Sequence, residues 1–339
     1  MKRPPIRLLP DTKWVIMPSL LISSLFIFLY LTLTLTHHPH HSDHTPFPHT
    51  HLSDSSKLPR FAYMIAGTKG EGLQLKRLLQ AVYHPRNYYL LHLDIEASDS
   101  ERLELAKYVK SVDVMRNVMV IGKPDLVTYK GPTMIACTLH AVAVLLKKAS
   151  DWDWFINLSA SDYPLMSQDG SAWVMLTRSF LEFSIWGWDN LPRTLLMYYT
   201  NFLSSPEGYF HSVACNHKDY QNTTVNHDLH YIRWDNPPKQ HPISLTIEHF
   251  ADMILSGAPF ARKFAKDDPV LDKIDKEILR RSSGCLTPGG WCAGNSAQGD
   301  PCLVYGSSDA IRPTLNSKRL ERLVLELLSS ENFRVKQCK

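Results

Sequence analysis

Residues 61–94, FAYMIAGTKGEGLQLKRLLQAVYHPRNYYLLHLD, contain two short apolar runs separated by a segment with helical spacing. The runs at the two ends have the length and character of buried strands, and segment 72–82 repeats its apolar residues every three or four positions. The alternation continues for about a hundred residues in all, with strand patterns at 118–122 and 154–160 and a long helical pattern at 133–150. This order predicts an α/β domain built on a parallel, doubly wound sheet.

The stretch 151–165, DWDWFINLSASDYPL, contains acidic residues on both sides of a strand pattern. Asp151 and Asp153 match the short Asp-x-Asp pattern with which many sugar-nucleotide enzymes hold a divalent metal, but they precede the strand. Ligands of doubly wound sheets bind at the carboxyl ends of the strands. We therefore interpret this pair as surface residues of a helix-to-strand turn. Asp162 and Asp94 each follow a strand pattern and are predicted to lie at the ligand edge.

The turn Gly67-Thr-Lys-Gly70-Glu-Gly72 follows a strand pattern and opens a helix pattern, but its spacing is not G-x-G-x-x-G. It could still direct backbone N–H groups towards a phosphate or a base. The sequence has no G-x-S-x-G, H-E-x-x-H or Walker A motif, so serine hydrolase, zincin and P-loop interpretations have no support. A net charge of +4 without a dense Lys/Arg tract gives no argument for nucleic-acid binding.

The N-terminal region predicts a membrane anchor. Residues 14–36 carry no charge and are numerous enough to cross a bilayer as a helix. Four basic residues precede them, and no Lys or Arg follows before Lys57, so the positive-inside rule predicts a cytosolic tail at 1–13 and a luminal or external remainder. A cleaved signal peptide is the competing interpretation, but the run is long and lacks a small-residue cleavage site. We predict an uncleaved signal anchor.

Residues 37–60 are predicted to form a flexible stem between this anchor and the domain. The segment contains seven His among Pro, Ser and Thr residues and has no apolar periodicity. Such a tract could bind metal, but nothing in the pattern fixes the imidazoles in a coordination geometry.

Six cysteines lie in the part of the chain predicted to be luminal, where disulfides persist. Cys292 and Cys302 are close together in a loop rich in Gly, Pro and Asn, which predicts a bridge between them. Cys137 lies in an apolar helix pattern and is interpreted as a buried thiol. Asn222 opens an Asn-Thr-Thr sequence in a polar loop and is the predicted glycosylation site.

Aromatic residues cluster in the C-terminal half. Most are interpreted as core, although aromatic faces also suit the apolar side of a pyranose. The cluster comprises Trp173, Trp186, Trp188, Tyr198, Tyr199 and Tyr209.

Several stretches together resemble one known family. They are FAYMIAGTKG, LQLKRLLQAVYHPRNYYLLHLD, WFINLSASDYPL, SSPEGYFHSV, HYIRWDNPP and APFARKFAKDDPVLDKID. The likeness covers nearly everything from residue 60 to 339, in the expected order. In these stretches the chain resembles the core-2/I-branching glycosyltransferase family, glycosyltransferase family 14, and within it the plant β-glucuronosyltransferases that act on arabinogalactan.

The resemblance implies a type II Golgi membrane protein whose luminal domain, residues 61–339, has a glycosyltransferase-A-like fold. Residues 61–169 would form a Rossmann-like nucleotide-binding half and residues 170–339 the acceptor and catalytic half. The implied reaction is an inverting, metal-independent transfer from UDP-glucuronic acid to β-galactan chains of arabinogalactan proteins, without a cofactor. UDP-N-acetylglucosamine and UDP-xylose stay as alternative donors, and association with other Golgi glycosyltransferases is a further expectation.

The resemblance also implies roles for site residues. Glu207 falls at the family's catalytic base, where a carboxylate takes the proton of the attacking hydroxyl; the alternative is an exposed loop glutamate. A Pro-Glu-Gly turn among aromatic residues is expected to desolvate Glu207 in part. Lys263, with Arg262 beside it, matches a lysine that contacts the diphosphate of the departing UDP. Asp94 and Asp162 match nucleotide-side acids, which would accept hydrogen bonds from ribose or uracil or simply cap neighbouring turns.

The chain departs from the family at one junction. In the relatives, several tens of residues separate the Ser-Asp-Tyr-Pro-Leu motif from the Gly-Ser-x-Trp strand. Here MSQD (166–169) runs directly into GSAWVML (170–176). The segment absent at this junction carries part of the acceptor side and of the donor cleft in the family, so a catalytically inactive Golgi form is the alternative to an active enzyme.

Overall fold

The structure of the protein is a computed structural model that describes residues 58–149, 151–168, 176–203, 205–225, 227–335 and 337–338. The predicted cytosolic tail, the predicted anchor and the stem up to residue 57 lie outside the described residues, as does the junction at 169–175. Of the helices that are described, none is long and apolar enough to cross a membrane.

Strands and helices alternate through the first half of the described chain. The strands are β1 (Phe61–Gly67), β2 (Tyr88–Leu93), β3 (Val118–Val120), β4 (Trp154–Ser159), β5 (Tyr163–Pro164), β6 (Leu176–Thr177), β7 (His230–Ile232) and β8 (Phe260–Arg262). The helices are α1 (Gly72–Val82), α2 (Asp99–Ser111), α3 (Thr133–Lys148), α4 (Arg178–Trp186), α5 (Leu191–Tyr198), α6 (Ser205–Cys215), α7 (Phe250–Leu255), α8 (Pro269–Ile274), α9 (Leu315–Leu327) and α10 (Ser330–Val335).

The larger sheet has the strand order β3-β2-β1-β4-β6 over the described residues. Strands β1 to β4 are parallel, and β6 pairs antiparallel with β4. The chain places β2 and β3 on one side of β1 and then returns to place β4 on the other side. The strand order therefore reverses between β1 and β4, where doubly wound sheets bind ligands beyond the strands' carboxyl ends. The prediction of a parallel, doubly wound α/β sheet is confirmed.

Helices cover both faces of this sheet. Tyr63 and Ile65 of β1 point to one face, where they pack with the apolar sides of α1 and α2. Ala62 and Met64 point to the other face and pack with α3, α4 and α6. Successive residues of a strand point to opposite faces of the sheet. In β1 the residues that point to either face are apolar, as expected for a parallel strand whose two faces are both buried.

A second, smaller sheet begins just beyond the carboxyl end of β4. Its strand order is β5-β8-β7, with β5 antiparallel and β7 parallel to β8. Tyr163 is paired with Ala261, and Ile232 with Arg262. This sheet thus brings segments from the C-terminal half to the edge of the larger sheet at which Asp162 lies.

A buried ionic network joins α1 to the second sheet. The carboxylate of Asp275 accepts hydrogen bonds from Arg77 Nη2 at 2.8 Å, Arg281 Nε at 2.7 Å and Tyr163 Oη at 2.6 Å. The side chains of Asp275 and Arg281 are 6% and 1% exposed. Arg77 also pairs with Asp272, which is 76% exposed. Each buried charge has a partner of opposite sign, as burial of charge requires.

Two disulfides are present in the described chain. Cys292 pairs with Cys302, as the sequence predicts, and Cys215 pairs with Cys338. The second bridge fastens the C-terminal end of α6 to the end of the chain. Among the described cysteines, Cys137 and Cys285 are free, and Cys137 is buried, in agreement with its interpretation as a core thiol.

The Asp-x-Asp pair lies at the amino end of β4. Arg60 holds both residues, through an ion pair of 2.7 Å to Asp151 and a backbone N–H bond of 2.8 Å to Asp153. Both residues are exposed, and they lie at the end of the sheet opposite to the ligand edge. The interpretation of this pair as surface residues of a turn is confirmed.

Candidate active site

The turns that follow β1, β2 and β4 meet at the carboxyl edge of the larger sheet. The backbone N–H of Asp94 donates to the carbonyl of Gly67 at 3.1 Å, and the N–H of Ala160 donates to the carbonyl of Ala66 at 2.7 Å. Asp94 and Asp162 therefore lie on the two sides of the end of β1. Both side chains are almost completely buried, although each carries a carboxyl group.

Asp162 is held by one of its two oxygens. Its Oδ2 accepts the backbone N–H of Ser159 at 2.7 Å, whereas no hydrogen bond from the described residues reaches Oδ1. The Nε of Arg262 lies 3.5 Å from Oδ1, and the Arg262 side chain is 34% exposed. Burial raises the pKa of Asp162 to about 6, against the opposing effects of Arg262 and of the Ser159 N–H. Asp162 Oδ1 and the partly exposed guanidinium of Arg262 together form a polar pair at the carboxyl edge of the larger sheet.

His230 is a third member of this cluster and was assigned no role from the sequence. It lies on β7 with its side chain 1% exposed, and its Nε2 is 3.8 Å from Asp162 Oδ2. Burial lowers the pKa of His230 well below its ordinary value, and the charge of Arg262 lowers it further. The imidazole is therefore neutral at physiological pH. It adds a polar group to the cluster but no positive charge beyond that of Arg262.

Arg262 and Lys263 reach this edge through β8. The backbone N–H of Phe264 donates to the carbonyl of Ser161 at 3.0 Å, which fixes the end of β8 beside the Asp162 turn. The carbonyl of Lys263 accepts the N–H of Leu245 at 2.8 Å, and the peptide bond between Arg262 and Lys263 is cis. Both cationic side chains are half-buried. Lys266 is exposed to solvent.

Asp94 caps the turn after β2, which is one of the two roles considered for it. Its Oδ1 accepts the backbone N–H groups of Glu96 at 3.1 Å and Ala97 at 3.3 Å, so this oxygen caps the turn after β2. Its Oδ2 is buried and has no hydrogen-bond partner among the described residues. Burial raises the pKa of Asp94 above its ordinary value. One oxygen therefore stabilises the turn, and the other is buried without a hydrogen bond from the described residues.

Three N–H groups of the glycine-rich turn are hydrogen-bonded to carboxylates of the protein. The N–H of Gly72 donates to Glu101 Oε1 at 2.8 Å, and that of Gly70 to Glu101 Oε2 at 3.2 Å. The N–H of Thr68 donates to Glu71 Oε2 at 2.7 Å. The expectation that these groups face a phosphate is wrong, because carboxylates of the protein already occupy them. The Thr-x-x-Glu spacing of Thr68 and Glu71, which is typical of a helix-start capping pattern, was the available signal.

Glu207 lies in the first turn of α6 and is exposed. The sequence predicted a partly desolvated Pro-Glu-Gly turn, and this is wrong in both respects. Pro206 fits the first turn of a helix, where its missing N–H costs nothing. A methyl group at Gly208 would lie 2.4 Å from Tyr199 Oη, so only glycine fits beside this ring. The close approach of Tyr199 fixes the start of the helix that carries Glu207.

Several aromatic side chains are exposed in the segment that precedes α6. The rings of Tyr198 and Phe202 contact each other at 4.8 Å between centroids, tilted by 40°, and both side chains are exposed. Trp186 and Trp188 of the preceding segment are also exposed, whereas Tyr209 is buried and belongs to the core. The aromatic cluster therefore divides into a buried part and a surface part.

A loop after β3 connects this region to the carboxyl edge. The N–H of Ile95 donates to the carbonyl of Asp125 at 3.1 Å, which joins the loop to the Asp94 turn. Farther along, the N–H of Gly131 donates to the carbonyl of Phe202 at 3.0 Å. The structure brings together Asp94, Asp162, Arg262 and Lys263 at one edge, and the start of α6 joins that edge through this loop.

Asn222 is exposed in a turn after α6, in a position open to modification.

The family model for the core-2/I-branching enzyme matches residues 61–169 and 168–254 of the chain. The chain belongs to this family. The resemblance drawn from the motifs is therefore confirmed, and with it the prediction of a glycosyltransferase, since the family is one of glycosyltransferases. The mixed α/β sheet is consistent with the glycosyltransferase-A-like architecture.

Similar members of the family occur in Arabidopsis thaliana. The beta-glucuronosyltransferase GlcAT14C is 50% identical, over 95% of this chain and 96% of its own length. The beta-glucuronosyltransferase GlcAT14A is 49% identical, over 85% of this chain and 80% of its own length. A more distant likeness, 27% identical over 53% of this chain and 27% of the relative, is to xylosyltransferase 2 of Rattus norvegicus.

These relatives contain a segment that this chain lacks. The alignment with GlcAT14C spans 388 positions but covers 95% of this chain, so about 66 positions have no counterpart here. The alignment with GlcAT14A leaves about 68 such positions by the same comparison. The two parts of the family match meet at residues 168 and 169, which is the junction that the motifs single out.

Proposed function

We propose that this protein transfers glucuronic acid from UDP-glucuronic acid to β-galactan chains of arabinogalactan proteins. One observation carries the proposal. Arg262 and Lys263 lie with Asp162 at the carboxyl edge of the larger sheet, where the strand order reverses between β1 and β4. Half-buried cations at this edge suit the diphosphate of a nucleotide sugar. The likeness to two β-glucuronosyltransferases at about half identity supports glucuronic acid as the sugar.

In the proposed reaction, Glu207 takes the proton of an acceptor hydroxyl as the hydroxyl oxygen attacks the anomeric carbon. The bond from this carbon to the UDP oxygen breaks on the opposite side, so the configuration inverts. Negative charge develops on the departing diphosphate, and the Lys263 ammonium and the Arg262 guanidinium stabilise it without a metal. Asp94 Oδ2 and Asp162 Oδ1, which have no hydrogen bond from the described residues, accept hydrogen bonds from the nucleoside part of the donor.

The acceptor is proposed to bind beside α6. Tyr198 and Phe202 present exposed aromatic surface just before α6, the helix that carries Glu207, and such faces suit the apolar side of a galactose ring. The site would be luminal in the Golgi, with residues 14–36 as the anchor of a type II membrane protein and Asn222 carrying a glycan. The uncharged N-terminal run and the exposure of Asn222 support this arrangement.

A direct transfer assay tests the proposal. Purified full chain would be incubated with labelled UDP-glucuronic acid and β-galactan oligosaccharides, with and without EDTA. We expect transfer that survives EDTA and outcompetes transfer from UDP-N-acetylglucosamine and UDP-xylose. Preference for another donor would contradict the assignment of the sugar, and activity restored by Mn²⁺ or Mg²⁺ after EDTA would contradict a metal-free diphosphate site.

The role of Glu207 has a matched control. Glu207→Gln keeps the size of the side chain but cannot accept the proton, so transfer should fall by about 100-fold or more while UDP binding persists. Glu331 is also an exposed glutamate in the first turn of a helix, and Glu331→Gln should leave transfer unchanged. Equal rates for the two variants would exclude Glu207 as the base.

A catalytically inactive Golgi form is the second candidate. It is favoured by the roughly 66 aligned positions without a counterpart in this chain and by the division of the family match at residues 168 and 169. The corresponding segment of GlcAT14C would be inserted between residues 169 and 170. If the original chain is folded but inactive and the insertion gives activity, the absent segment is required. If the original chain is active, the segment is dispensable and the second candidate is excluded.

A further inference from the structure

Three potential metal ligands, and a fourth residue that contacts one of them, converge on the side of the sheet covered by α3. His92 lies on β2, Asp125 in the loop after β3, and Cys137 and His140 lie three residues apart on α3. One ligand atom from each of His92, Asp125 and Cys137 lies within 4.8 Å of the other two. His140 joins the cluster through a contact of 2.9 Å between its Nδ1 and Asp125 Oδ2. None of these residues belongs to the donor or acceptor machinery proposed above.

The spacing suits a tetrahedral ion of the zinc class. The Sγ of Cys137 is 3.7 Å from His92 Nδ1, and a tetrahedral zinc with ordinary Zn–S and Zn–N bonds separates such ligands by about 3.6 Å. Thiolate, imidazole and carboxylate together form a ligand set that zinc accepts and that magnesium and calcium do not prefer.

The cluster is buried on one side and open on the other. The side chain of His92 is fully buried, and Cys137 is 2% exposed. The side chains of Asp125 and His140 are 31% and 41% exposed, so an ion could reach the cluster from solvent. Asp125 N–H donates to His92 Nε2 at 3.0 Å. Coordination through Nδ1, the nitrogen that faces Cys137, would place the ring proton on Nε2, so this hydrogen bond would be lost when the ion binds.

We infer that His92, Asp125, Cys137 and His140 form a structural binding site for one zinc-class divalent ion. On binding, the Cys137 thiol releases its proton to solvent and its sulfur becomes a thiolate ligand. The ion joins β2, the loop after β3 and α3 in one cross-link. Because the carbonyl of Asp125 accepts the N–H of Ile95, this cross-link also holds the turn that contains Asp94.

Cobalt substitution tests the site independently of catalysis. The full chain would be stripped with chelator and titrated with Co²⁺, whose tetrahedral complexes absorb in the visible and whose thiolate ligands add a charge-transfer band in the near ultraviolet. We expect about one Co²⁺ per chain with both features, displaced by Zn²⁺. The thiolate band is decisive because the His-rich segment 37–60, which could also bind cobalt, contains no cysteine.

Two substitutions and two matched controls localise the ion. Cys137→Ala should abolish the thiolate band, whereas Cys285→Ala, which removes the other free cysteine, should leave it intact. His140→Gln changes a partly exposed residue that is not needed for packing, and it should weaken zinc binding at least about tenfold. His211→Gln, at an exposed position on α6, should not.

Thermal unfolding gives a second reading. Zinc at a hundredfold excess over its Kd should raise the Tm of the stripped protein by about 5 °C, and this rise should be absent in Cys137→Ala and His140→Gln.

Cobalt bound without a thiolate band, or a band that survives Cys137→Ala, would overturn the proposal. In the transfer assay, activity lost on chelation and restored by Zn²⁺ but not by Mg²⁺ or Mn²⁺ would point to this site and leave the proposed metal-free diphosphate site standing.

Discussion

At the scale of single residues, Asp162 has a clear effect on the pH dependence of stability. Its pKa is raised from 3.8 to about 6 by burial, so the native state binds this proton more tightly than the unfolded chain does. The contribution of Asp162 to the free energy of unfolding is therefore largest below about pH 4. It falls by about 3 kcal/mol as the pH rises through the interval from 4 to 6.

The substitution Asp162→Asn should remove this dependence, because an amide does not titrate. The free energy of unfolding in urea would be measured between pH 4 and 7 for both proteins, and their difference isolates Asp162 from neighbours such as His230. We expect the variant to gain stability relative to the original chain as the pH rises. Asp113→Asn, at an exposed position, should follow the original chain, and the same behaviour for Asp162→Asn would contradict the assigned pKa.

At the scale of secondary-structure elements, the ionic network at Asp275 attaches α1 to the second sheet. Asp275→Ala leaves the buried guanidinium of Arg281 without its main partner, and this should lower the free energy of unfolding by about 3–5 kcal/mol. Asp272→Ala removes an exposed partner of the same Arg77 and should cost less than about 1 kcal/mol. Urea unfolding of the two variants would show this contrast, and equal losses would mean that the network does not fix α1.

The elements that the sequence predicted best are those with enough length for a pattern to emerge. Strands β1, β2 and β4 and helices α1 and α3 each contain six or more residues, and their apolar spacing identifies them. The second sheet was not predicted, because β5, β7 and β8 contain only two or three residues and join segments about a hundred positions apart. A periodicity cannot be recognised in HYI or FAR.

The same reason explains the outcome at the candidate site. Asp94 and Asp162 follow long strands. Their place at the ligand-binding edge is therefore predicted by the rule that doubly wound sheets bind ligands at the carboxyl ends of their strands. Arg262 and Lys263 were assigned only through the family resemblance, since their position depends on the short strand β8. His230 was missed because only the pairing of β7 with β8 brings its imidazole next to Asp162.

At the scale of the whole molecule, the two disulfides differ in the length of chain that they close. Cys215 and Cys338 are 123 positions apart, and Cys292 and Cys302 are 10 apart. A longer closed loop removes more entropy from the unfolded chain, which predicts stabilisations of about 5 and about 3 kcal/mol. The longer bridge should thus contribute more to the stability of the domain.

Each bridge can be measured in the absence of the other. The variant with Cys292→Ala and Cys302→Ala keeps only the longer bridge, and the variant with Cys215→Ala and Cys338→Ala keeps only the shorter one. The free energy of unfolding would be compared before and after reduction in each background. A larger loss for the background that retains only the shorter bridge would contradict the entropic argument.

The carboxylates that occupy the glycine-rich turn have a consequence for how the donor would be held. With the N–H groups of Gly70 and Gly72 bound to Glu101, phosphate recognition in the proposed site relies on the partly exposed side chains of Arg262 and Lys263. Attraction between partly exposed charges is screened over about 8 Å at physiological ionic strength. The Kd for UDP should therefore rise steeply with added sodium chloride, and calorimetric titration across a salt series would measure that slope.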